Sequence, residues 1–397
     1  MLFLQIPSLY PSLYTTTSQD PILEISATLS LGFLYASSGK SAIAGTLFRQ
    51  FLADSSNSFV SSGNLPEYRF QNAYASSIGI GFLYLGLGDE PNSKTSFFER
   101  MKEFFIECID FRISHLKSKS EASLRLLKGS VRDKKVLRLP SMAVLGLIYL
   151  KTGNKGIAEK LRLGNLLPIS KCHPKEIVFS IISRFLILWD SIEMTELFFK
   201  TESEVAGFSK LQQYIASSAL IFIYGLKFMS TCSGSFCLAK AKELILQLEN
   251  LTSLDLHTVT SLLLACYGIG LLYCGSGNLE SLRIIRAVRL LFLKSKIVTS
   301  FHFAALHHAL GILFLGGCSF HLVPDSKCLA TCFAFLASVC LEFSDIAFGT
   351  LPNIVLASAT KKPQSQDDKD MEFCSKSFWN SEYQSLLEET LARICSR

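Results

Sequence analysis

The decapeptide IGLLYCGSGN (269–278) sets Gly270 and Gly277 seven residues apart, with large apolar residues and Tyr273 between them. Beside LGFLYASSGK (31–40) and LGLIYLKTGN (145–154) it reads as one copy of a repeat, not a unique site. The pattern is a Gly, two mostly apolar residues, an aromatic at plus three and a small residue at plus seven. It starts at Gly32, Gly81, Gly146, Gly225, Gly270 and Gly311, at spacings of 49, 65, 79, 45 and 41 residues. The aromatics are Tyr35, Tyr84, Tyr149, Phe228, Tyr273 and Phe314, and at plus seven stand Gly39, Gly88, Gly153, Cys232, Gly277 and Cys318.

At about 100° per residue the three positions fall near 0°, 300° and 340°, one narrow stripe of a helix. The first Gly is then expected to admit a neighbouring helix, which offsets the cost of about 1 kcal/mol for a mid-helix glycine. The aromatic fills the adjoining space. The later Gly stands where the apolar run stops, before Lys40, Asp89, Asn154 or Asn278, and suits the left-handed residue past a helix end. A second, amphipathic helix follows: in the fifth copy Leu282, Ile285, Val288, Leu291 and Leu293 are read as its buried face and Arg283, Arg286 and Arg289 as its wet one. Such pairs stack into an all-α solenoid. The shortest windows hold one helical hairpin, and the longer ones hold insertions or a degenerate extra copy, with insertion loops expected near 90–138 and 154–210.

Composition agrees with an array: of 397 residues 49% are hydrophobic and only 18% charged, against a usual charged share of about 25%. The net charge of +6 is mild. One dense basic run, 117–138, is read as a solvated insertion, with an acidic or nucleic-acid partner as the alternative. The 12 cysteines include no C-x-x-C pair, and Cys266, Cys274, Cys332 and Cys340 lie in apolar runs, as buried thiols of a reducing compartment do. The N-terminus lacks a basic stretch ahead of its apolar residues and carries Pro7 and Pro11, unlike a signal peptide.

Phosphate-loop spacings are absent, and the glycine turn ends a helix where a phosphate site would open one. Uncharged runs of 23 residues (257–279) and 28 residues (297–324) exceed the roughly 18 a membrane span needs, so a polytopic membrane protein is the alternative of another class. Other copies are too short, with 15 uncharged residues in 25–39 and 12 in 139–150. His302, His307, His308 and His321 lie near Cys318 without an i, i+4 pair or an H-E-x-x-H motif, and are read as core or interface histidines. The pair Cys328 and Cys332 is likewise read as core. No catalytic, cofactor or metal set emerges, and the chain is read as not an enzyme.

The colinear order of LGLIYLKTGNKGIAEKL (145–161), PKEIVFSIISRFLILWDSIE (174–193), IYGLKF (223–228), IGLLYCGSGNLESLRIIR (269–286) and HHALGILFLGG (307–317) resembles the proteasome/cyclosome-repeat family over residues 5–345. That family includes two large non-ATPase subunits of the proteasome regulatory particle and the largest scaffold subunit of the anaphase-promoting complex. The block Leu188, Trp189, Asp190 favours the latter; the former is the alternative. The resemblance implies repeats curled into a partial or closed toroid. It further implies a noncatalytic scaffold of a multisubunit ubiquitin ligase, in nucleus or cytoplasm, whose partners are other subunits and not nucleic acid, membrane or small molecules. Cys232 and Cys318 depart from the family's glycines. The expected organisation is an N-terminal arm (1–20), the solenoid (21–345), a partly disordered linker (346–376) and a C-terminal amphipathic helix (377–397). In that helix Tyr383, Leu386, Leu387, Leu391 and Ile394 share a face behind Ser381 as N-cap.

Overall fold

The computed structural model describes residues 21–52, 65–90, 96–109, 134–163, 173–191, 193–232, 234–249, 254–318, 320–340 and 359–361. Among these the chain forms fourteen α-helices, most of them in inner and outer pairs. The pairs are α1 (Pro21–Leu34) with α2 (Ser41–Leu52), α3 (Leu65–Leu83) with α4 (Ser96–Ile109), and α5 (Lys134–Ile148) with α6 (Lys155–Lys160). They continue as α7 (Pro174–Ile187) with α8 (Met194–Val205), α9 (Lys210–Lys227) with α10 (Ser235–Glu249), and α11 (Leu256–Leu272) with α12 (Leu279–Leu293). The last inner helix, α13 (Ser300–Leu313), leads through strand β1 (Phe320–Leu322) to α14 (Ser326–Cys340) and later β2 (Ala359–Lys361).

Each odd-numbered helix from α1 to α13 packs on the next, as expected of a solenoid whose inner helices are apolar nearly all round. In α11 every residue from Thr258 to Leu272 is buried. Two of its buried hydroxyls find partners close by: Ser261 Oγ lies 2.6 Å from Ser218 Oγ of α9, and Thr260 donates to Leu256 O. The stack is curved. Tyr74 of α3 meets Phe179 of α7 at 6.2 Å between ring centres, and His173 at the start of α7 meets His257 of α11 at 5.3 Å. Helices two places apart in a flat layer would stand roughly 16–20 Å apart, so the inner edges converge. Into that concave side runs α14, whose Phe333 touches Phe179 and whose Phe335 touches Tyr267 of α11 and His308 of α13.

The long third window holds a degenerate copy, α7 and α8, with Phe185 in the glycine's place and Leu188 in the aromatic's. The reading of 154–210 as insertion loop is therefore corrected, because three helices occupy it; α4 likewise occupies 96–109. The basic run ends inside α5, where Arg138 is buried and pairs with Glu176 at 3.2 Å, so a wholly solvated insertion does not hold there. Residues 110–133 lie outside the described residues. So do the expected N-terminal arm, the C-terminal helix and the linker, except Ala359–Lys361. Those three residues pair antiparallel with β1, Phe320 opposite Lys361 and Leu322 opposite Ala359. No helix among the described residues is long and apolar enough to cross a membrane. The run 257–279 is cut at Leu272 by the turn, which leaves a water-facing helix beyond it.

His173 precedes α7 as its N-cap: its Nδ1 accepts from Lys175 N–H, and its own N–H donates to Glu176. Burial holds its pKa below the ordinary value of about 6.5, with His257 and Lys175 adding to the effect. The unfolded chain then binds the extra proton first, so this contribution stands above about pH 6.5 and is lost as pH falls below it. The melting temperature should therefore fall more steeply from pH 7.5 to 5 in the unaltered chain than in His173→Asn, which keeps a capping oxygen. The difference is small, since the ring is partly exposed.

Candidate protein-binding surface and the joints that shape it

Every inner helix of the six recognised copies ends two residues after its first glycine, at Leu34, Leu83, Ile148, Lys227, Leu272 and Leu313. The aromatic at plus three is consequently the residue just past the helix, and the plus-seven residue lies beyond the turn. The single helical stripe expected for all three positions is corrected, because the helix stops before it reaches them. Of the three positions only the first glycine lies within the helix, and there it faces the next inner helix. A Cβ on Gly32 would stand 2.3 Å from Gly79 Cα, one on Gly225 2.1 Å from Gly268 O, and one on Gly270 2.7 Å from Ala309 O. Gly146 meets Ser183 Cβ at 2.8 Å in the same way. Position zero of one copy thus faces position minus two of the next, and both are small. Gly81 departs: its neighbour is the Leu147 side chain at 2.6 Å, where Val144 occupies minus two.

A second joint lies in the turns. The N–H groups at plus five and plus seven donate to the last two carbonyls of the next inner helix. Ser37 and Gly39 bond Phe82 O and Leu83 O at 2.9 and 3.0 Å; Gly86 and Gly88 bond Leu147 O and Ile148 O at 3.2 and 3.0 Å. Lys151 and Gly153 bond Leu186 O and Ile187 O, both at 2.9 Å. Ser230 and Cys232 bond Leu271 O and Leu272 O at 3.1 and 3.3 Å; Gly275 and Gly277 bond Ile312 O and Leu313 O at 3.0 and 3.1 Å. Each turn so satisfies carbonyls that a helix end leaves open. In these five turns the plus-five residue takes a positive φ whatever its side chain, from 58° at Ser37 to 73° at Gly86. At Gly275 a side chain is doubly excluded, since its Cβ would lie 1.9 Å from Phe320 O. Cys232 and Cys318, which stand where glycine is expected, still adopt φ of 58° and 70°. The cap therefore persists with some backbone strain, and Gly88 is the plus-seven glycine that does not have a positive φ.

In the first two copies the plus-seven glycine also lies on the following copy's aromatic. A Cβ on Gly39 would touch Tyr84 at 3.7 Å, and one on Gly88 would meet Tyr149 at 2.5 Å. Tyr84 stacks on Phe98 of its own outer helix at 4.2 Å, and burial pushes its hydroxyl up to about 12. Tyr35 carries Lys40 over its ring at 4.6 Å, and Phe228 packs on Tyr224 at 4.5 Å. Tyr273 is buried and Phe314 half-buried.

Between α7 and α9 the contact is of another kind. Trp189 lies under two cations, Lys227 at 4.8 Å and Lys151 at 5.4 Å, and Lys227 Nζ also donates to Trp189 O. Burial lowers the Lys227 pKa, Asp190 opposes this and Lys151 adds to it. Nearby the returning chain is tied in, Lys151 Nζ bonding Pro324 O at 3.0 Å and Ser230 Oγ bonding both Leu322 O and Leu322 N–H.

The outer layer is joined by exposed polar links, Asn154 to Asp89 at 2.9 Å, Arg162 to Glu204 and Lys242 to Glu280, and Glu204 also reaches inward to the buried Arg184 of α7 at 3.0 Å. The residue after the glycine turn starts the outer helix, Asn154 capping Ile157 N–H and Asn278 capping Ser281 N–H. Asn278 sets the phase of α12, whose buried residues are Ser281, Ile284, Ile285, Val288 and Phe292. The face read from sequence is therefore corrected: Leu282 and Leu291 are half-buried and Leu293 is 57% exposed.

Among the described residues no group of three or more His, Cys, Asp and Glu is placed to hold a metal. His302 caps α13 through Thr299, His307 is exposed, and His308 stacks on Tyr267 at 5.6 Å. Cys328 and Cys332 are buried in α14, and Cys318 is half-exposed. Burial pushes the Cys237 thiol up to about 12 and that of Cys266 higher still, which suppresses thiolate and so nucleophilicity. The geometry offers joints, and an outer surface of helices and turns suited to contact with proteins.

Compared with known proteins, residues 1–345 match the family model described as the APC1 fifth domain. Two curated relatives, from human and mouse, are both described as anaphase-promoting complex subunit 1. Each is 24% identical over 369 residues, covering 83% of this chain and 18% of the relative. The chain thus spans less than a fifth of the length of the curated relatives it matches.

Proposed function

Because this chain belongs to the APC1 fifth-domain family, we propose that it is a noncatalytic scaffold element of an anaphase-promoting complex, the ubiquitin ligase of the metaphase–anaphase transition and mitotic exit. The observation that supports this reading best is the family match over residues 1–345, the same stretch that carries the glycine and aromatic copies. In this reading Gly32, Gly81, Gly146, Gly225 and Gly270, with the turn residues after them, set the spacing of the stack and bind no ligand. Residues 21–345 act as one scaffold unit. Outer helices and turns meet other subunits of the assembly, in nucleus or cytoplasm, with no part for nucleic acid, membrane, cofactor or small-molecule substrate.

Affinity purification of the tagged full chain with mass spectrometry tests it. Subunits of an anaphase-promoting complex are the expected co-purifying proteins. Recovery of proteasome base subunits would move the assignment to the large non-ATPase scaffolds, and recovery of neither set would end the reading.

A further inference from the structure

Large exposed apolar side chains gather on the outer face of α12. Leu279, Leu290 and Leu293 are 53%, 59% and 57% exposed, and Ile297 just past the helix is 46% exposed. At about 100° per residue the three leucines share an arc of roughly 80° with Arg283 and Arg286, and Arg289 flanks it. Glu280 pairs with Arg283 and with Lys242 of α10. Among the described residues Arg286, Arg289, Lys294 and Lys296 stand in no ion pair. An apolar stripe that contains Arg286 and is flanked by Arg289 and Lys294, none of the three in an ion pair among the described residues, calls for an occupant with leucines on one side and carboxylates beside them.

One segment of the same chain has that chemistry. Residues 381–394 carry Tyr383, Leu386, Leu387, Leu391 and Ile394 at helical spacing, with Glu382, Glu388 and Glu389 and a single cation, Arg393, beside them. The chain also departs from the right place. β2 ends at Lys361 opposite Phe320, whose carbonyl abuts Gly275, four residues before α12 begins. Residues 362–380 can span about 60 Å when extended, whereas a helix of the length of α12 measures about 22 Å. Tethering at that distance raises the local concentration to the millimolar range.

We propose that residues 381–394 dock in cis, as an acidic amphipathic helix, along the Leu279, Leu290 and Leu293 face of α12. The arginines at 286 and 289 face Glu388 and Glu389 across the contact. The test uses the full chain with a photoreactive benzoylphenylalanine in place of Leu290, and cross-linked peptides mapped by mass spectrometry. The expected product is an intramolecular cross-link within 381–394. Its yield falls at least fivefold in Arg286→Glu with Arg289→Glu, and returns when Glu388→Arg and Glu389→Arg are added. Both arginines are exposed, so an unchanged melting temperature is expected alongside. Cross-links only to a second copy, to a co-purifying protein, to added anionic vesicles or to another segment overturn the proposal, as does a yield insensitive to the charge reversals.

Discussion

Gly225→Ala should destabilise the chain by about 1–3 kcal/mol, while the same substitution at Gly311, the same repeat position in the last inner helix, should stabilise it by up to about 1 kcal/mol. Alanine gains helix propensity at both sites, so propensity cannot produce the difference. What differs is the neighbour. The new Cβ at 225 would lie 2.1 Å from Gly268 O and 2.7 Å from its carbonyl carbon, backbone atoms that cannot rotate aside. A carbon and an oxygen need more than an additional ångström, so α9 and α11 must part along their length, and packing energy falls steeply with such a gap. At Gly311 nothing stands within 4 Å. Gly207, in an open turn with no neighbour within 4 Å, is the neutral control. Denaturant unfolding of the full-length variants, read with hydrogen exchange on α9 and α11 because so long a stack need not unfold in one step, checks the signs. Equal losses at 225 and 311 would remove the role assigned to position zero.

The repeat was legible because glycine in an apolar helix is costly and its recurrence needs a cause. Its partner was less so. Gly79, Ser183, Gly268 and Ala309 at minus two are small residues of ordinary types, and their pairing with position zero depends on the offset between neighbouring helices, which one helix's periodicity does not carry. The plus-five turn position was invisible for a different reason: Ser37, Lys151 and Ser230 take positive φ although glycine is the usual signal for it. The bonds to the next helix hold them there. The α7 copy lost both its glycine and its aromatic, leaving Phe185 and Leu188, so the pattern passed over a helix that the stack requires. On α12 the arginines marked the wet face correctly, but Leu290 and Leu293 beside them could not be told from core leucines. Burial depends on what faces a helix, and apolar residues on a binding surface resemble those in a core.

Phe335→Ala should cost about 3–5 kcal/mol, the range for a buried phenylalanine truncated in a packed core, and should release α14 from the second half of the stack before the stack itself opens. The ring is 1% exposed and lies 5.0 Å from Tyr267 and 4.5 Å from His308, so it joins α14 to α11 and α13 together. Phe333, also 1% exposed, reaches Phe179 of α7 at 5.9 Å, and Phe333→Ala should cost a similar amount through the first half. The two rings sit two residues apart on one helix and serve opposite arms of the curve. If α14 docks as a unit, the double variant loses less than the sum of the single ones, because the first truncation has already given up part of the docking energy and the shortfall measures their coupling. If α14 merely fills space beside helices that hold themselves, the effects add, and hydrogen exchange of α7, α11 and α13 is untouched by either. The prediction is sub-additive losses with faster exchange in α14 and in Phe320–Leu322, whose Leu322 is held by Ser230 from the adjoining turn. Strict additivity with unchanged exchange would show that the inner helices keep their curvature without the helix they enclose.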